Sequence, residues 1–382
     1  MSRVKFGDVV KDCKEKIDRN NNSYEFYVAG DHMDTEDLVI RRKGRFATDD
    51  VGPAFIRLFR LGQVLYGSRR TYLKKVAVAD FEGVTANTTF VFETKDESVL
   101  RQRLLPFIML SDSFTEWSIK RSKGSTNPYV LFSDLADFEF ELPDVKQQDK
   151  YVELLWSIWN VKEAYRKLLA ATDELVKARF VEMFGDPIEN PMNWETSQLE
   201  NIAEIRIGPF GSLLHKDDYI QGGHPIVNPS HIIDGTIVID PNLTLTDSKY
   251  EELSCYSLQV GDVVLGRRGE MGRCAVVPSG GYLCGTGSII IRPKNGIKSC
   301  LLQRIISSST FCKYIESMAV GVTMKNLNVS IVSSFQIPLL PMELQEQYIR
   351  FLEQIEQTKN KIRDSLTQAE ILLNSLKHRY FD

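Results

Sequence analysis

The stretch Asp144–Phe184, DVKQQDKYVELLWSIWNVKEAYRKLLAATDELVKARFVEMF, decides how this chain is read. It is rich in charge, yet apolar residues recur in alternating steps of three and four: Tyr151, Leu154, Ile158, Val161, Tyr165 and Leu168, then Leu175 after a lapse at Thr172. That spacing is a heptad seam, sustained for longer than an ordinary globular helix. A helix of about 40 residues spans roughly 60 Å. Asp144 with Gln147 three residues on predicts a capping box at the start. Gly185-Asp186-Pro187 predicts the stop, because Gly accepts the left-handed cap and Pro cannot extend the helix. A second seam runs Tyr348, Leu352, Ile355, Ile362, Leu366, Ala369, Leu373, Leu376 and Tyr380, with a lapse at Lys359. Two such seams are expected to bury each other as a coiled coil. The plainer alternative packs each helix on its own neighbouring domain.

The 382 residues are enough for two or three domains, and 43% hydrophobic content lets each bury a core. A net charge of −4 excludes a uniformly basic coat but leaves room for local basic patches. The six Cys are scattered with no C-x-x-C pair, so neither a zinc site nor a disulfide framework is expected, and a reducing cytoplasm is the simplest compartment. No apolar run follows Met1-Ser2-Arg3-Val4-Lys5, so no signal peptide is expected there. No run of about 18 apolar residues predicts a membrane span.

Residues 1–143 and 186–340 both read as mixed α/β. In the first, Phe55–Phe59, Val76–Ala79 and Phe90–Phe92 are expected strands, and Val99–Met109 an expected helix that Pro106 kinks or ends. In the second, Ile237–Ile239, Val263–Leu265, Ala275–Val277 and Ile289–Ile291 are expected strands, and Leu301–Ile315 an expected helix. The halves superimpose in sequence. Leu61–Arg69 matches Val260–Arg268, Phe90–Phe92 matches Ile289–Ile291, Phe138 matches Phe335, Gln147 matches Gln345 and Phe184 matches Phe381, all 197 to 199 positions apart. A near-constant offset marks a tandem duplication of an α/β domain followed by a long helix. The domains expected are 1–143, a central helix 144–185, 186–340 and a final helix 341–382. The copies differ outside these anchors, as one job done on two targets would require.

Two pairs of loops carry polar chemistry at matched places. Lys120, Arg121, Lys123, Ser125, Thr126 and Asn127 offer phosphate attraction and a base-edge hydrogen bond, and Thr323, Lys325 and Asn326 form the counterpart. Arg69, Arg70 and Lys74 follow a strand and a Gly, as do Arg267 and Arg268, and an Arg there can read guanine or hold phosphate. The plain alternative for the first pair is a solvated loop, and its recurrence at the equivalent place in both copies favours function; for any single Arg of the second pair a solvated hairpin tip is an equal alternative. Gly208-Pro209-Phe210-Gly211-Ser212 lacks the spacing of a nucleotide loop and reads as a tight turn. Catalytic constellations are missing: no carboxylate cluster with a Lys for a nuclease metal, and no Gly-rich cofactor loop for a methyltransferase. Asn127-Pro128-Tyr129 only echoes a methyltransferase pocket. His224 and His231 flank Asn228-Pro229 without a third metal ligand.

Over its whole length the chain resembles the specificity subunit of type I restriction-modification enzymes. The resemblance is carried by Asn193-Trp194-Glu195 leading into Leu199–Ile205 and Gly208–Ser212, by Gly261–Val264, by Ile337–Pro341 with Gln345 and Gln347, and by Phe180–Pro187. Phe6–Val10 fits the opening of the first copy, although no Gly-x-Phe-Gly-Ser follows it. The resemblance implies two target recognition domains, each reading one half of a split duplex DNA sequence. It implies that the long helices pair antiparallel as a spacer. It also implies a non-catalytic role, with no cofactor on this chain. Partners would be two methyltransferase subunits carrying S-adenosylmethionine and an endonuclease/translocase subunit using ATP and Mg. The alternatives are a related restriction-modification class, a self-contained methyltransferase or nuclease, and a coiled-coil scaffold without a nucleic-acid role.

Overall fold

The computed structural model describes residues 2–18, 23–294, 296–319, 321 and 326–382. It divides into two compact units, one of Met1–Leu169 with Lys361–Asp382 and one of Ala170–Asn360. Each unit is mixed α/β, and none of the helices described is long and apolar enough to cross a membrane.

In the first unit, β1 (Val10–Asp12), β2 (Val64–Gly67), β3 (Val76–Val78) and β4 (Thr89–Thr94) form an antiparallel sheet in the order β1-β4-β2-β3. Both faces are buried, so its strands read as unbroken apolar runs rather than alternating ones. Val64, Tyr66, Phe90 and Phe92 face Phe6, Phe107 and Phe114. Leu65, Ala77 and Val91 face Val28 and Phe59 of a smaller sheet built from Phe26–Val28, Gly44–Arg45, Phe55–Phe59 and Gly83–Ala86.

The second unit repeats the plan. β5 (Ala203–Ile207), β6 (Val263–Gly266), β7 (Cys274–Val276) and β8 (Ser288–Pro293) run in the order β5-β8-β6-β7. Val263, Leu265, Ile289 and Ile291 face helices, while Val264, Ala275 and Ile290 face Val227 and Cys284 of the smaller sheet. The expected helix Leu301–Ile315 is two, Ser299–Ile306 and Ser309–Met318. Ser308 breaks it by accepting the Phe311 N–H as an N-cap. Val99–Met109 is helical only from Gln102, and Pro106 stands in the first turn of Leu105–Met109, where its missing N–H costs nothing. Ile237 ends a two-residue strand, with Val238 and Ile239 beyond it.

The long helices are α1 (Val145–Phe184) and α2 (Met342–Phe381). Asp144 caps α1, its Oδ1 accepting the Gln147 N–H at 2.9 Å. Gly185 ends α1 at φ 78°, and a Cβ there would meet Pro191 Cγ at 2.7 Å. Within the first unit the Tyr151 and Tyr380 rings stack at 3.7 Å, and Lys162 pairs with Glu370 at 3.4 Å. Within the second, Phe184 meets the Tyr348 ring edge-on at 5.6 Å, and Lys359 pairs with Asp173. In each unit the α2 partner number falls as the α1 number rises, so the segments run antiparallel.

The α1 seam differs from the sequence expectation. Tyr151, Leu155, Ile158, Lys162, Thr172 and Val176 are buried, whereas Leu154, Val161, Leu168 and Leu175 are 41% to 49% exposed. The alternation starts with a step of four, which moves every second seam position by one residue. Leu154-Leu155 leaves either start open, and the apolar pattern then favours Val161 over Lys162. The α2 seam follows the expected positions, with Tyr348, Ile362, Ala369 and Leu373 buried.

Candidate nucleic-acid interface

The two polar loops of the first unit meet at one end of its larger sheet. β2 runs out through Ser68, whose carbonyl accepts the Val130 N–H at 2.9 Å. The Arg70 N–H donates to Pro128 O at 2.7 Å, with Arg70 held at φ 51°. Lys123 and Tyr129 exchange both backbone bonds, at 2.8 and 2.9 Å, closing a hairpin whose tip is Ser125, Thr126 and Asn127. The Arg69 guanidinium lies 6.0 Å from the Tyr129 ring centre. The tip residues, Arg69, Arg70 and Lys120 are exposed.

The basic residues are not equivalent. Lys123 pairs with Asp134 at 3.0 Å, and Arg121 stacks over Trp117 at 4.6 Å. Lys74 points away from this face into pairs with Glu36 at 3.0 Å and Asp112 at 2.8 Å, so it serves the fold there. The hydrogen bond from Lys74 holds the Asp112 carboxyl below its usual range. Arg70 and Lys120 have no acidic partner among the described residues, which leaves them available to phosphate.

The second unit brings the same segments together by a matching bond. The Leu327 N–H donates to Arg267 O at 3.0 Å, the counterpart of Val130 to Ser68. Arg267 also turns its side chain inward, Nε donating to Leu327 O at 2.9 Å. Burial and the adjacent Arg268 lower its pKa. Its guanidinium therefore positions the second loop, and Arg268 is the exposed cation of the pair. With Val130 matched to Leu327, Asn326 stands where Tyr129 stands, not where Asn127 does. Its Oδ1 is buried without a hydrogen-bond partner. Thr323 and Lys325 lie outside the described residues.

Sequence reading missed the contribution of Gly208 and Phe210. The Gly208 N–H donates to Ser288 O at 3.0 Å, and the Arg267 N–H donates to Gly287 O at 2.8 Å. The Gly-Pro-Phe-Gly turn therefore opens beside the two loops. Its residue types were visible, but nothing in their spacing says which strand end they join. The two histidines serve the fold: His224 Nε2 lies 2.9 Å from Asp247, and buried His231 Nδ1 lies 2.7 Å from Ile226 O. Among the described residues, Asp112, His378 and Asp382 are grouped closely enough to hold a metal, and all three are exposed.

Comparison with known proteins agrees with this architecture. Residues 191–370 match the family described as type I restriction modification DNA specificity domain. A protein assigned as the type I restriction enzyme MjaX specificity subunit of Methanocaldococcus jannaschii is 27% identical over 194 residues, 48% of this chain and 44% of that protein. The type I restriction enzyme EcoDI specificity subunit of Escherichia coli is 22% identical over 130 residues, 33% of this chain and 28% of that protein. Each match thus spans less than half of the relative's length. Among solved structures, the S subunit of a type I restriction-modification system from M. genitalium aligns over 100% of this chain and 96% of its own, with TM-score 0.56 and 14% identity. A chain from a structure describing assembly and conformational transition of the type I R-M system aligns over 99% and 97%, with TM-score 0.58 and 19% identity. At these identities the likeness shows the fold.

Proposed function

We propose, from the match of residues 191–370 to the family described as type I restriction modification DNA specificity domain, that the chain is the non-catalytic DNA-reading subunit of a type I restriction-modification complex. It reads a split duplex target, one half with each unit. The observation that carries this reading is the matched loop junction, Val130 to Ser68 in one unit and Leu327 to Arg267 in the other. One frame thus presents two different sets of polar side chains. Arg70, Lys120 and Arg268 hold phosphate or guanine. Asn127 offers an exposed amide suited to an adenine edge.

Partner subunits, two methyltransferases carrying S-adenosylmethionine and an endonuclease/translocase using ATP and Mg, supply the chemistry. The exposed residues Leu154, Val161, Leu168 and Leu175, seven positions apart along α1, support docking of partner helices there. The paired helices act as the spacer between half-sites.

The test is to co-express the chain with its neighbouring methyltransferase and map methylated adenines in the host genome. A split asymmetric motif is expected. A contiguous motif, or methylation by the chain alone, would overturn the reading. Replacing Asn127 should relax one half-site and replacing Arg268 the other, each lost base contact costing roughly 1–3 kcal/mol, while Lys120→Ala should weaken all sequences alike. Loss at both half-sites from one loop would count against independent units.

A further inference from the structure

We infer that Phe210 is a base-contacting residue of the second unit, a role that rests on the DNA-reading function proposed above. Three segments converge on the stretch before β8. The Gly208 N–H bonds Ser288 O at 3.0 Å, the Arg267 N–H bonds Gly287 O at 2.8 Å, and the Leu327 N–H bonds Arg267 O at 3.0 Å. The approach of the first segment requires glycine: a Cβ on Gly208 would fall 2.2 Å from Gly285 O. Phe210 thus leaves the sheet at the same end as Arg268 and Asn326.

The ring is held outward by rigid surroundings. Pro209 beside it is buried and fixes its own φ. The Leu213 N–H closes a tight turn onto Phe210 O at 2.9 Å. Phe210 itself is extended, at φ −71° and ψ 153°, and is 63% exposed. A phenyl ring has no hydrogen-bonding group, so beside the exposed Arg268 it supplies the apolar part of base reading. Its partners in duplex DNA are a thymine methyl or an opened base step. Among the described residues, the first unit shows no counterpart of this turn. There the chain leaving β1 runs along the smaller sheet, with the Leu58 N–H bonding Glu15 O at 3.0 Å and the Ile17 N–H bonding Ile56 O at 2.9 Å.

The test is selection from a random duplex pool by the full chain, comparing wild type, Phe210→Ala, Phe210→Leu and Arg268→Ala. The expected result for Phe210→Ala is relaxed preference at one or two positions in the half-site that Arg268→Ala also disturbs. The other half-site stays intact, the melting temperature is unchanged, and affinity falls about fourfold, the worth of one buried methyl. Phe210→Leu should keep most of the preference. A split motif left unchanged by Phe210→Ala overturns this inference alone. So does equal weakening of both halves, or a lowered melting temperature, which would make the ring structural. A wild-type chain that selects no motif overturns the DNA-reading function together with it.

Discussion

Lys377 shows how a duplicated frame handles one position in two ways. It lies 197 positions from Phe180, which packs at 5.7 Å against Tyr348 in the second unit. Lys377 is 7% exposed, its Nζ 3.5 Å from Leu110 O, beside a cavity of about 130 Å³ lined also by Glu36, Lys74, Asp112, Asn374 and Asp382. Burial pushes its pKa below the ordinary 10.5. Glu36 and Asp112 oppose that shift, and Lys74 and Lys162 add to it. A lowered folded pKa means the folded state resists the proton. Stability therefore falls as pH drops from the unfolded value through the folded one. Lys377→Met should then stabilise the chain by on the order of 1 kcal/mol at pH 7, with a smaller gain in strong alkali. Thermal unfolding across pH measures this. A loss at pH 7 would mean that attraction to Glu36 and Asp112 outweighs burial.

At the scale of elements, a buried glutamine ties each long helix to its own unit. Gln148 donates to Val99 O and Pro143 O at 2.8 and 2.9 Å and accepts the Arg101 N–H at 2.9 Å. Gln345 donates to Gly296 O and Leu340 O, both at 2.8 Å, and accepts the Lys298 N–H at 2.9 Å. The three bonds correspond one for one, so the counterpart of Gln345 is Gln148, not the adjacent Gln147 that the sequence offers equally well. Gln148→Ala strands buried backbone groups and should cost roughly 2–4 kcal/mol, at about 1–3 per unsatisfied group with partial rehydration. Hydrogen exchange should localise the loss to the first unit, and that from Gln345→Ala to the second. Uniform loss of protection from either change would show that the units unfold as one. The same comparison marks what sequence can tell. Strand cores such as Val263–Leu265 and Ile289–Ile291 are legible because their register buries both faces. The α1 seam is legible only to within one residue, because Leu154-Leu155 satisfies both phases. The roles of Arg267 and Lys74 are illegible, because which way an arginine or lysine turns depends on carbonyls and carboxylates distant in sequence.

At the scale of the whole molecule, the proposed spacer makes a quantitative claim. α1 passes from the first unit to the second after Leu169, and α2 passes back after Asn360. These positions admit a matched insertion without touching either sheet. Because the buried seam alternates four and three, seven added residues keep it in phase, whereas four in one helix alone would create a stutter. Seven residues in each helix add about 10 Å at 1.5 Å per residue. Duplex DNA rises about 3.4 Å per base pair, so the gap between half-sites should widen by about three base pairs. The half-sites themselves should be read as before, since every bond at the loop junctions lies inside one unit. The measurement is the methylated motif of the co-expressed complex before and after the insertion. Insertion in α1 alone is the control, and it should lower stability without yielding a new fixed gap. An unchanged gap in a folded, active complex would mean that the helices do not set the distance, and that partner subunits place the two units on DNA instead.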